Sequence, residues 1–324
     1  MELNLSGLSK NMKENDVDKI HDVLIIGAGP AGMSAALYTA RADLQPLLFT
    51  GMALGGQASL TNVIENYPGF PDGVGGGELG ELFQKQAENF GAQFIFDTVT
   101  DIDLSESPFK AKTYSNEYLC KTVIIATGAS PNHLEVPGEK KLSGKGVSYC
   151  ATCDGWFFRD KKVVVVGGGD SALEEALFLT RFASSIDVVH RRDELRAGAI
   201  LQKRAKFHPK ISFIWDSVIS EIIGEKAVNA VKIRNVKTGE EKEIPTEGVF
   251  IFIGHKPNSD MFVDQLELDD LGYLVSDMKM TTKVPGVYVA GEIADPHYRQ
   301  VITSAGMGAA AAIEVTRFLE REEN

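Results

Sequence analysis

Two cysteines near the middle of the chain have the spacing of a redox centre. Cys150 and Cys153 form a Cys-x-x-Cys motif, and Asp154 follows directly. Such a pair can close a small, reducible disulfide, and its thiol pKa is often lowered so that thiolate is available for exchange. Asp154 could protonate a leaving thiolate if burial raises the pKa of its carboxyl, or it could simply cap a helix or turn. The motif therefore indicates thiol–disulfide chemistry.

Zinc binding is the rival use of paired cysteines. A structural zinc ion usually needs a tetrahedral set of Cys and His ligands, and the sequence has neither a second Cys-x-x-Cys nor a clustered pair of histidines. The remaining cysteine, Cys120, stands alone in an apolar run. A chain with three cysteines cannot form a disulfide framework, so the pattern favours a reducing compartment and no bound metal.

Two glycine-rich turns form the second group of chemically informative residues. An apolar run at residues 23–26 precedes GAGPAG at 27–32, and a similar run at 163–166 precedes GGGDSA at 167–172. In a Gly-x-Gly-x-x-Gly turn the first glycine allows the tight turn, the second lets backbone N–H groups approach a pyrophosphate, and the third allows close helix packing. Each turn therefore predicts a dinucleotide site, although glycine turns also occur where a strand merely meets a helix. The residues expected at the phosphates are Gly27 and Gly29 in the first turn and Gly167, Gly169, Asp170, Ser171 and Ala172 in the second.

The residues after the next strand distinguish the two nucleotides. A dinucleotide site often has Asp or Glu there to bind a ribose diol, but the first copy continues with Thr50-Gly51. The second copy continues with His190, Arg191 and Arg192, and Arg196 follows one helical turn later. Guanidinium groups give bidentate, permanently charged contacts to a phosphate, so the second site is expected to prefer NADPH to NADH. Alternatively, these arginines only begin a solvated helix and pair with Asp193 and Glu194.

The elements that must position these residues occur twice. Each copy is an apolar strand, a glycine turn, a helical stretch that ends at Arg41 or Arg181, and a second apolar strand. This is the sequence form of a parallel βαβ unit that is buried on both faces. The repeat predicts an α/β fold of two doubly wound, Rossmann-like dinucleotide-binding domains, the second inserted into the first.

Two further apolar runs suggest the domain boundaries. Residues 123–128 and 249–254 both end in glycine, and a proline follows each run closely, which is typical of linkers. We therefore expect a first domain over 19–130 and 257–324 and an inserted domain over 131–256. Residues 1–18 are polar and mixed in charge, and they predict either a mobile N-terminal extension or a short surface helix.

Composition excludes several classes of protein. The chain has 324 residues, 44% of them hydrophobic and 24% charged, as in folded globular proteins. The formal net charge of −12 argues against non-specific binding to nucleic acid or to an anionic membrane. No apolar run approaches the roughly 18 residues of a membrane span, and the N-terminus has no apolar signal region. We therefore expect a cytoplasmic protein.

Six motifs together resemble those of the low-molecular-weight thioredoxin reductases, and the resemblance covers nearly the whole chain after residue 20. They are GAGPAG at 27–32, GGQ at 55–57, ENYPG at 65–69, CATCDG at 150–155, HRR at 190–192 with Arg196, and YRQ at 298–300. The resemblance implies a homodimeric flavoprotein with FAD at the first glycine turn and NADPH at the second. Electrons would pass from NADPH through FAD to a Cys150–Cys153 disulfide and then to thioredoxin, a separate protein, by thiol–disulfide exchange.

The resemblance also implies which residues contact each cofactor. Beyond the glycine turns, the residues implied for FAD are Pro30, Ala31, Gly51, Gly55, Gly56, Gln57, Asn66, Glu292, Arg299, Gln300 and Val301, just before an Ala-rich helix that begins near Ser304. The residues implied for NADPH are His190, Arg191, Arg192 and Arg196. Glu292 stands where the family usually has an aspartate that binds the flavin ribitol, and it is one methylene longer.

Two other functions remain open from the residues alone. The first is an NAD(P)H-dependent reductase that serves a ferredoxin, flavodoxin or peroxidase and does not need the cysteine pair. The second is a nucleotide-bound redox sensor or scaffold without rapid turnover.

Overall fold

The chain divides into two compact units in a computed structural model, which describes residues 19–51, 54–61 and 63–322. One unit comprises the described residues up to Ala129 and again from Pro257, and the other comprises Ser130–Lys256. The extension expected over residues 1–18 lies outside the described residues.

Strands and helices alternate in two stretches of the chain, and each stretch is followed by a run of consecutive strands. The strands are β1 (Ile20–Ile26), β2 (Leu47–Phe49), β3 (Gln93–Ile95), β4 (Val99–Asp103), β5 (Phe109–Thr113), β6 (Glu117–Ile125), β7 (Ala129–Pro131), β8 (Val147–Ser148), β9 (Lys162–Val166), β10 (Ser185–Val189), β11 (Ile211–Ile214), β12 (Ser217–Gly224), β13 (Val228–Asn235), β14 (Glu241–Pro245), β15 (Gly248–Ile251), β16 (His255–Pro257) and β17 (Val287–Val289). The α-helices are α1 (Pro30–Arg41), α2 (Gly76–Glu88), α3 (Glu139–Leu142), α4 (Ala151–Asp154), α5 (Asp170–Leu179), α6 (Ala199–Lys206) and α7 (Val301–Glu322). Short 3₁₀ helices cover Gly56–Leu60, Gly155–Phe158 and Asp260–Phe262.

The first unit is built on a mostly parallel sheet with strand order β3-β2-β1-β6-β5-β4, in which β17 also pairs with β6. Strand β1 is parallel to both β2 and β6, and Leu24 stands opposite Leu47 and Val123. Alternate residues of β1 enter different cores, since Leu24 and Ile26 pack in one cluster while Val23 and Ile25 pack in the other. Burial on both faces explains why this strand is apolar without alternation.

The second unit contains a five-stranded sheet with the order β11-β10-β9-β15-β8, and every described strand pair of that sheet is parallel. Val163 and Val165 of β9 share a cluster with residues of α5, whereas Val164 and Val166 pack with residues of the three-stranded antiparallel meander β12-β13-β14. The α/β fold with two Rossmann-like units is therefore confirmed, and the meander is an element that the sequence analysis did not anticipate.

Helix ends differ slightly from the sequence expectations. Helix α1 ends at Arg41 as expected, but α5 ends at Leu179 instead of Arg181. Helix α7 begins at Val301, three residues before Ser304, because the Ser304 N–H already donates to the Gln300 carbonyl and so closes the first turn there. Within the described residues, no helix is long and apolar enough to cross a membrane.

Helices α1 and α7 approach each other at backbone distance. A Cβ added to Gly308 of α7 would overlap the carbonyl oxygen of Ala31, and one added to Gly291 would come 2.8 Å from the Ala31 Cβ. Glycine at these positions lets the last helix of the chain support the first turn of α1 directly.

Candidate functional site

The two cysteines of the Cys-x-x-Cys motif form a disulfide in the second unit, with their Cα atoms 5.3 Å apart. Cys150 caps the short helix α4, and its Sγ accepts a hydrogen bond from the Cys153 N–H at 3.1 Å. A helical turn places residues three apart on one side, which brings the two sulfurs together. Both cysteines are partly exposed. Among the described residues, no group of three or more His, Cys, Asp or Glu side chains could hold a metal ion.

Asp154 lies largely buried in the same turn as the disulfide. Burial raises the pKa of its carboxyl, and a hydrogen bond from the Ser148 hydroxyl opposes that shift. The Ser148 Oγ donates to Asp154 Oδ2 at 2.6 Å and accepts the Cys150 N–H at 3.1 Å. The carboxyl therefore takes up a proton more readily than an exposed aspartate does.

A buried carboxylate beside the motif was missed by the sequence analysis. Glu139 accepts the N–H groups of Leu134 and Glu135 at 3.0 and 2.7 Å and the Tyr149 hydroxyl at 2.8 Å. Burial alone would raise its pKa, but these hydrogen bonds outweigh burial and lower it. His133 Nδ1 lies 2.9 Å from the same hydroxyl. Only the position of Tyr149 next to Cys150 could have pointed to this network, which holds the strand that leads into the disulfide.

Cys120 has no part in this chemistry. It is fully buried in the core of the first unit, and burial raises the pKa of its thiol to about 12. Its Sγ lies 3.8 Å from the Phe109 carbonyl oxygen. A thiol that stays protonated and enclosed is inert toward exchange.

In the first glycine turn, the fold requires glycine at two positions, whereas a third glycine has open space beside it. Gly27 has φ +110°, and a Cβ on Gly32 would overlap the Gly27 carbonyl oxygen. Gly29, in contrast, caps α1 with an ordinary φ of −75°, and a Cβ built there would meet no protein atom within 4 Å. Pro30 and Ala31 follow as the first helical residues, and the N-terminal N–H groups of a helix favour anions.

A loop from the next segment closes against this turn. The Gly55 N–H donates to the Ala28 carbonyl at 2.9 Å, and a Cβ on Gly56 would come 3.0 Å from the Gly29 Cα. Gly55 and Gly56 both have positive φ, as does Gly51, two residues after β2. Gln57 follows on an exposed position of the 3₁₀ helix. The structure thus brings this part of the expected FAD set together.

The remaining residues expected at FAD converge from distant parts of the first unit. Asn66 Nδ2 donates to Gln300 Oε1 at 3.1 Å, and Gln300 Nε2 donates to the carbonyl of Arg299 at 3.1 Å. Arg299 has φ +50°, and its N–H donates to Asp295 Oδ2 at 3.2 Å. Val301 then begins α7.

Glu292 is a carboxyl held in a buried position within this segment. Burial raises its pKa to about 7, Arg299 opposes the shift and Asp295 adds to it. A group with this pKa can donate or accept hydrogen bonds near neutral pH.

The second glycine turn has the same division of roles. Gly167 has φ +149°, and a Cβ on it would come 2.6 Å from the Ala172 Cβ, whereas a Cβ on Gly169 would meet no protein atom within 4 Å. Asp170 Oδ1 accepts the Gly198 N–H at 2.7 Å, and Ser171 is exposed at the start of α5. This turn also leaves open space at the N-terminus of its helix.

His190 is placed differently from the arginines that follow it. The imidazole is buried, Nε2 lies 3.0 Å from the Glu194 carbonyl oxygen, and a Cβ on Gly168 would overlap the ring. Burial lowers the His190 pKa, and the neighbouring arginines lower it further. The His190 ring therefore packs against Gly168 of the glycine turn.

The three arginines expected at a 2′-phosphate are exposed and lie around one cavity. Arg191, Arg192 and Arg196 line a space of about 300 Å³ together with residues of the meander. Asp193, which the sequence offered as an ion-pair partner for them, pairs instead with Lys237 at 2.8 Å. Glu194, the other residue offered as a partner, also lines the cavity.

Comparison with known proteins gives a consistent result over almost the whole chain. A family model described as pyridine nucleotide-disulphide oxidoreductase matches residues 21–308. The thioredoxin reductase of Streptomyces coelicolor is 50% identical over 303 residues, which cover 93% of this chain and 94% of that protein. That of Mycolicibacterium smegmatis is 48% identical over 306 residues, covering 94% of this chain and 98% of that protein. The crystal structure of thioredoxin reductase from Streptococcus pyogenes MGAS5005 matches with a TM-score of 0.90 at 46% identity, covering 93% of this chain and 99% of that one.

Proposed function

Because the chain belongs to the pyridine nucleotide-disulphide oxidoreductase family and within it is similar to thioredoxin reductases along nearly its full length, we propose that it is a thioredoxin-disulfide reductase with Cys150 and Cys153 as its redox centre. It is an NADPH-dependent flavoprotein oxidoreductase that uses FAD. One observation carries the proposal: the partly exposed Cys150–Cys153 disulfide in the same turn as Asp154. A reductase for ferredoxin or flavodoxin would not need this pair.

We propose the first unit as the FAD-binding domain, over residues 19–130 and 257–324. When bound, FAD accepts hydride from NADPH and supplies two electrons to the disulfide. The open space above Gly29 supports a pyrophosphate site there, and the Asn66–Gln300 hydrogen bond supports a site that extends to the start of α7. The proposed FAD contacts are Gly27, Gly29, Pro30, Ala31, Gly51, Gly55, Gly56, Gln57, Asn66, Glu292, Arg299, Gln300 and Val301.

We propose residues 131–256 as the NADPH-binding domain. The open space above Gly169 supports a pyrophosphate site, and the arginine-lined cavity supports a site for the 2′-phosphate. The proposed NADPH contacts are Gly167, Gly169, Asp170, Ser171, Ala172, Arg191, Arg192 and Arg196. His190 contributes to this site indirectly, by packing against Gly168.

The reduced cysteines carry the protein-disulfide step. One thiolate attacks a sulfur of the thioredoxin disulfide, forms a mixed disulfide and releases the other thioredoxin sulfur as thiolate. The second cysteine then attacks the first, which restores the Cys150–Cys153 disulfide and releases reduced thioredoxin. Asp154, whose pKa is raised by burial, supplies a proton to a leaving thiolate.

We further propose a homodimer that acts in the cytoplasm on a separate thioredoxin. The scarcity of cysteines supports a reducing compartment, and the resemblance to low-molecular-weight reductases supports the dimer. Sedimentation of the purified protein and fractionation of its cells test these two points.

An absorbance titration of the purified protein tests the function itself. We expect a flavin spectrum that NADPH bleaches and that oxidised thioredoxin restores. A colourless protein, or a bleached flavin that thioredoxin leaves unchanged, would contradict the proposal.

A further inference from the structure

We propose that Lys237 determines the preference for a 2′-phosphate by holding Asp193 and Asp216 away from the arginines of the second unit. This inference rests on the proposed NADPH site. Lys237 belongs to neither βαβ repeat, because it lies on the turn between β13 and β14 of the meander.

Lys237 bridges the two carboxylates at the rim of the arginine cavity. Its Nζ lies 2.8 Å from Asp193 Oδ2 and 2.9 Å from Asp216 Oδ1. All three side chains line the same cavity as Arg191, Arg192 and Arg196. The cavity therefore contains three carboxylates, of Asp193, Glu194 and Asp216, that would compete with a phosphate for the guanidinium groups, and a lysine that already pairs with two of them, Asp193 and Asp216.

The backbone of Asp216 is fixed beside the segment that carries the arginines. The carboxylate of Asp216 therefore remains near them. Its N–H donates to the Arg192 carbonyl at 3.3 Å, and the next residue, Ser217, donates its N–H to the His190 carbonyl at 3.0 Å. Asp216 also has φ +50°, and its side chain is only 17% exposed. A half-buried carboxylate in this position needs a cationic partner, and without Lys237 the nearby arginines would supply it.

The turn that carries Lys237 is equally fixed. Asn235 Oδ1 accepts the N–H groups of Lys237 and Thr238, both at 2.9 Å, and the Val236 N–H donates to the Asp216 carbonyl at 2.6 Å. Gly239, with φ +75°, closes the turn through its N–H to the Asn235 carbonyl at 2.9 Å. The meander thus delivers a lysine to a defined place opposite Asp193 and Asp216.

Two ligands that differ by the 2′-phosphate test this role in the holoenzyme. We expect Lys237→Ala to raise the Kd for adenosine 2′,5′-bisphosphate, and the KM for NADPH relative to that for NADH, by roughly three- to tenfold. Lys237→Arg keeps the charge and should retain the affinity. Lys232→Ala is the matched control, because Lys232 also pairs with a carboxylate, Glu241 at 2.9 Å, on the same meander. An unchanged Kd in Lys237→Ala would overturn the inference.

A double-mutant cycle separates holding the carboxylates from simply adding charge. Asp193→Asn with Asp216→Asn should tighten binding of the bisphosphate much more in the Lys237→Ala background than in the wild type, because Lys237 already pairs with both groups there. Additive effects in the two backgrounds would show that Lys237 acts only as one more cation, and would overturn the inference.

Arg192→Ala distinguishes failure of this inference from failure of the NADPH site. If Arg192→Ala leaves the Kd for the bisphosphate unchanged, the proposed site itself is wrong. If Arg192→Ala weakens binding while Lys237→Ala does not, only the role of Lys237 is wrong. Thermal unfolding of each variant identifies any that fails to fold, and Lys237→Gln then replaces Lys237→Ala.

Discussion

The Ser148 hydroxyl donates to Asp154 Oδ2 at 2.6 Å while its oxygen accepts the Cys150 N–H at 3.1 Å. A single side chain therefore connects the proposed acid to the backbone of a redox cysteine. Ser148 ends β8, which pairs in parallel with β15 of the second sheet. The sheet thus fixes the acid, although the acid itself lies on a four-residue helix.

Ser148→Ala should shift the pH dependence of thioredoxin reduction toward higher pH. The serine hydrogen bond lowers the pKa of Asp154, so its removal raises a pKa that burial has already raised. Since the acid works in its protonated form, activity falls as pH rises through this pKa, and a higher pKa moves that fall upward. The pH profile of kcat measures the shift.

Two further variants serve as references for that pH profile. Asp154→Asn cannot transfer a proton and should lower kcat roughly 10²-fold or more, with flavin reduction by NADPH retained. Ser220→Ala is the matched control, because the Ser220 hydroxyl donates to the Lys232 carbonyl at 3.2 Å, outside the redox motif. A Ser148→Ala profile that coincides with the wild-type profile would exclude Asp154 as the acid.

Replacing both Cys150 and Cys153 by Ser should abolish reduction of thioredoxin while NADPH still bleaches the flavin. The hydroxyl of serine cannot form the mixed disulfide that exchange requires. Cys120→Ala is the control and should keep full activity, because Cys120 is buried in the other unit with a pKa near 12. Coupled NADPH oxidation with thioredoxin measures all three proteins, and activity in the double serine variant would favour a reductase for another partner.

Two alanine substitutions in the first glycine turn should affect different properties, one the binding of FAD and the other the stability of the fold. In Gly29→Ala the new methyl group enters open space, so the fold should persist while FAD binds about tenfold or more weakly. In Gly32→Ala the methyl group overlaps the Gly27 carbonyl, which should cost about 1–3 kcal/mol of stability.

Flavin content and thermal unfolding of the apoprotein distinguish the two variants. Equal FAD affinity in Gly29→Ala and the wild type would show that the pyrophosphate of FAD does not bind at the N-terminus of α1.

The apoprotein should lose stability as pH rises from about 5 to 7 because of Glu292. Its carboxyl has an ordinary value of 4.5 and a folded value of about 7, so the folded state holds more protons in this window than the unfolded state. Stability is therefore highest below the ordinary value and falls until pH passes the folded pKa. Thermal unfolding across this range measures the slope.

Glu292→Gln should reduce this slope, since the amide does not titrate. Glu247→Gln serves as the control for a change of the same size in the other unit. An identical slope in Glu292→Gln and the wild type would show that Glu292 does not titrate in this window.

Local patterns were enough to predict the two βαβ units and their glycine turns. Residues 163–166 of β9 are buried on both faces of the sheet and are all apolar. Glycine is needed where Gly27 adopts positive φ. Both features can be recognised in a short stretch of sequence. The contacts of Lys237 with Asp193 and Asp216 depend on how a distant meander packs, and no spacing in the chain encodes them. For the same reason, sequence alone did not separate the buried His190 from the exposed arginines beside it.

The support of α1 by α7 also determines the order in which the protein can fold during synthesis. Strand β1 and the first glycine turn are synthesised before residues 130–256, whereas β17, which pairs with β6, and α7, which contacts α1, are synthesised after them. Residues 130–256 form a contiguous unit that is complete before then. The disulfide-bearing unit can therefore reach its native structure first, and the unit that begins the chain is the last to close.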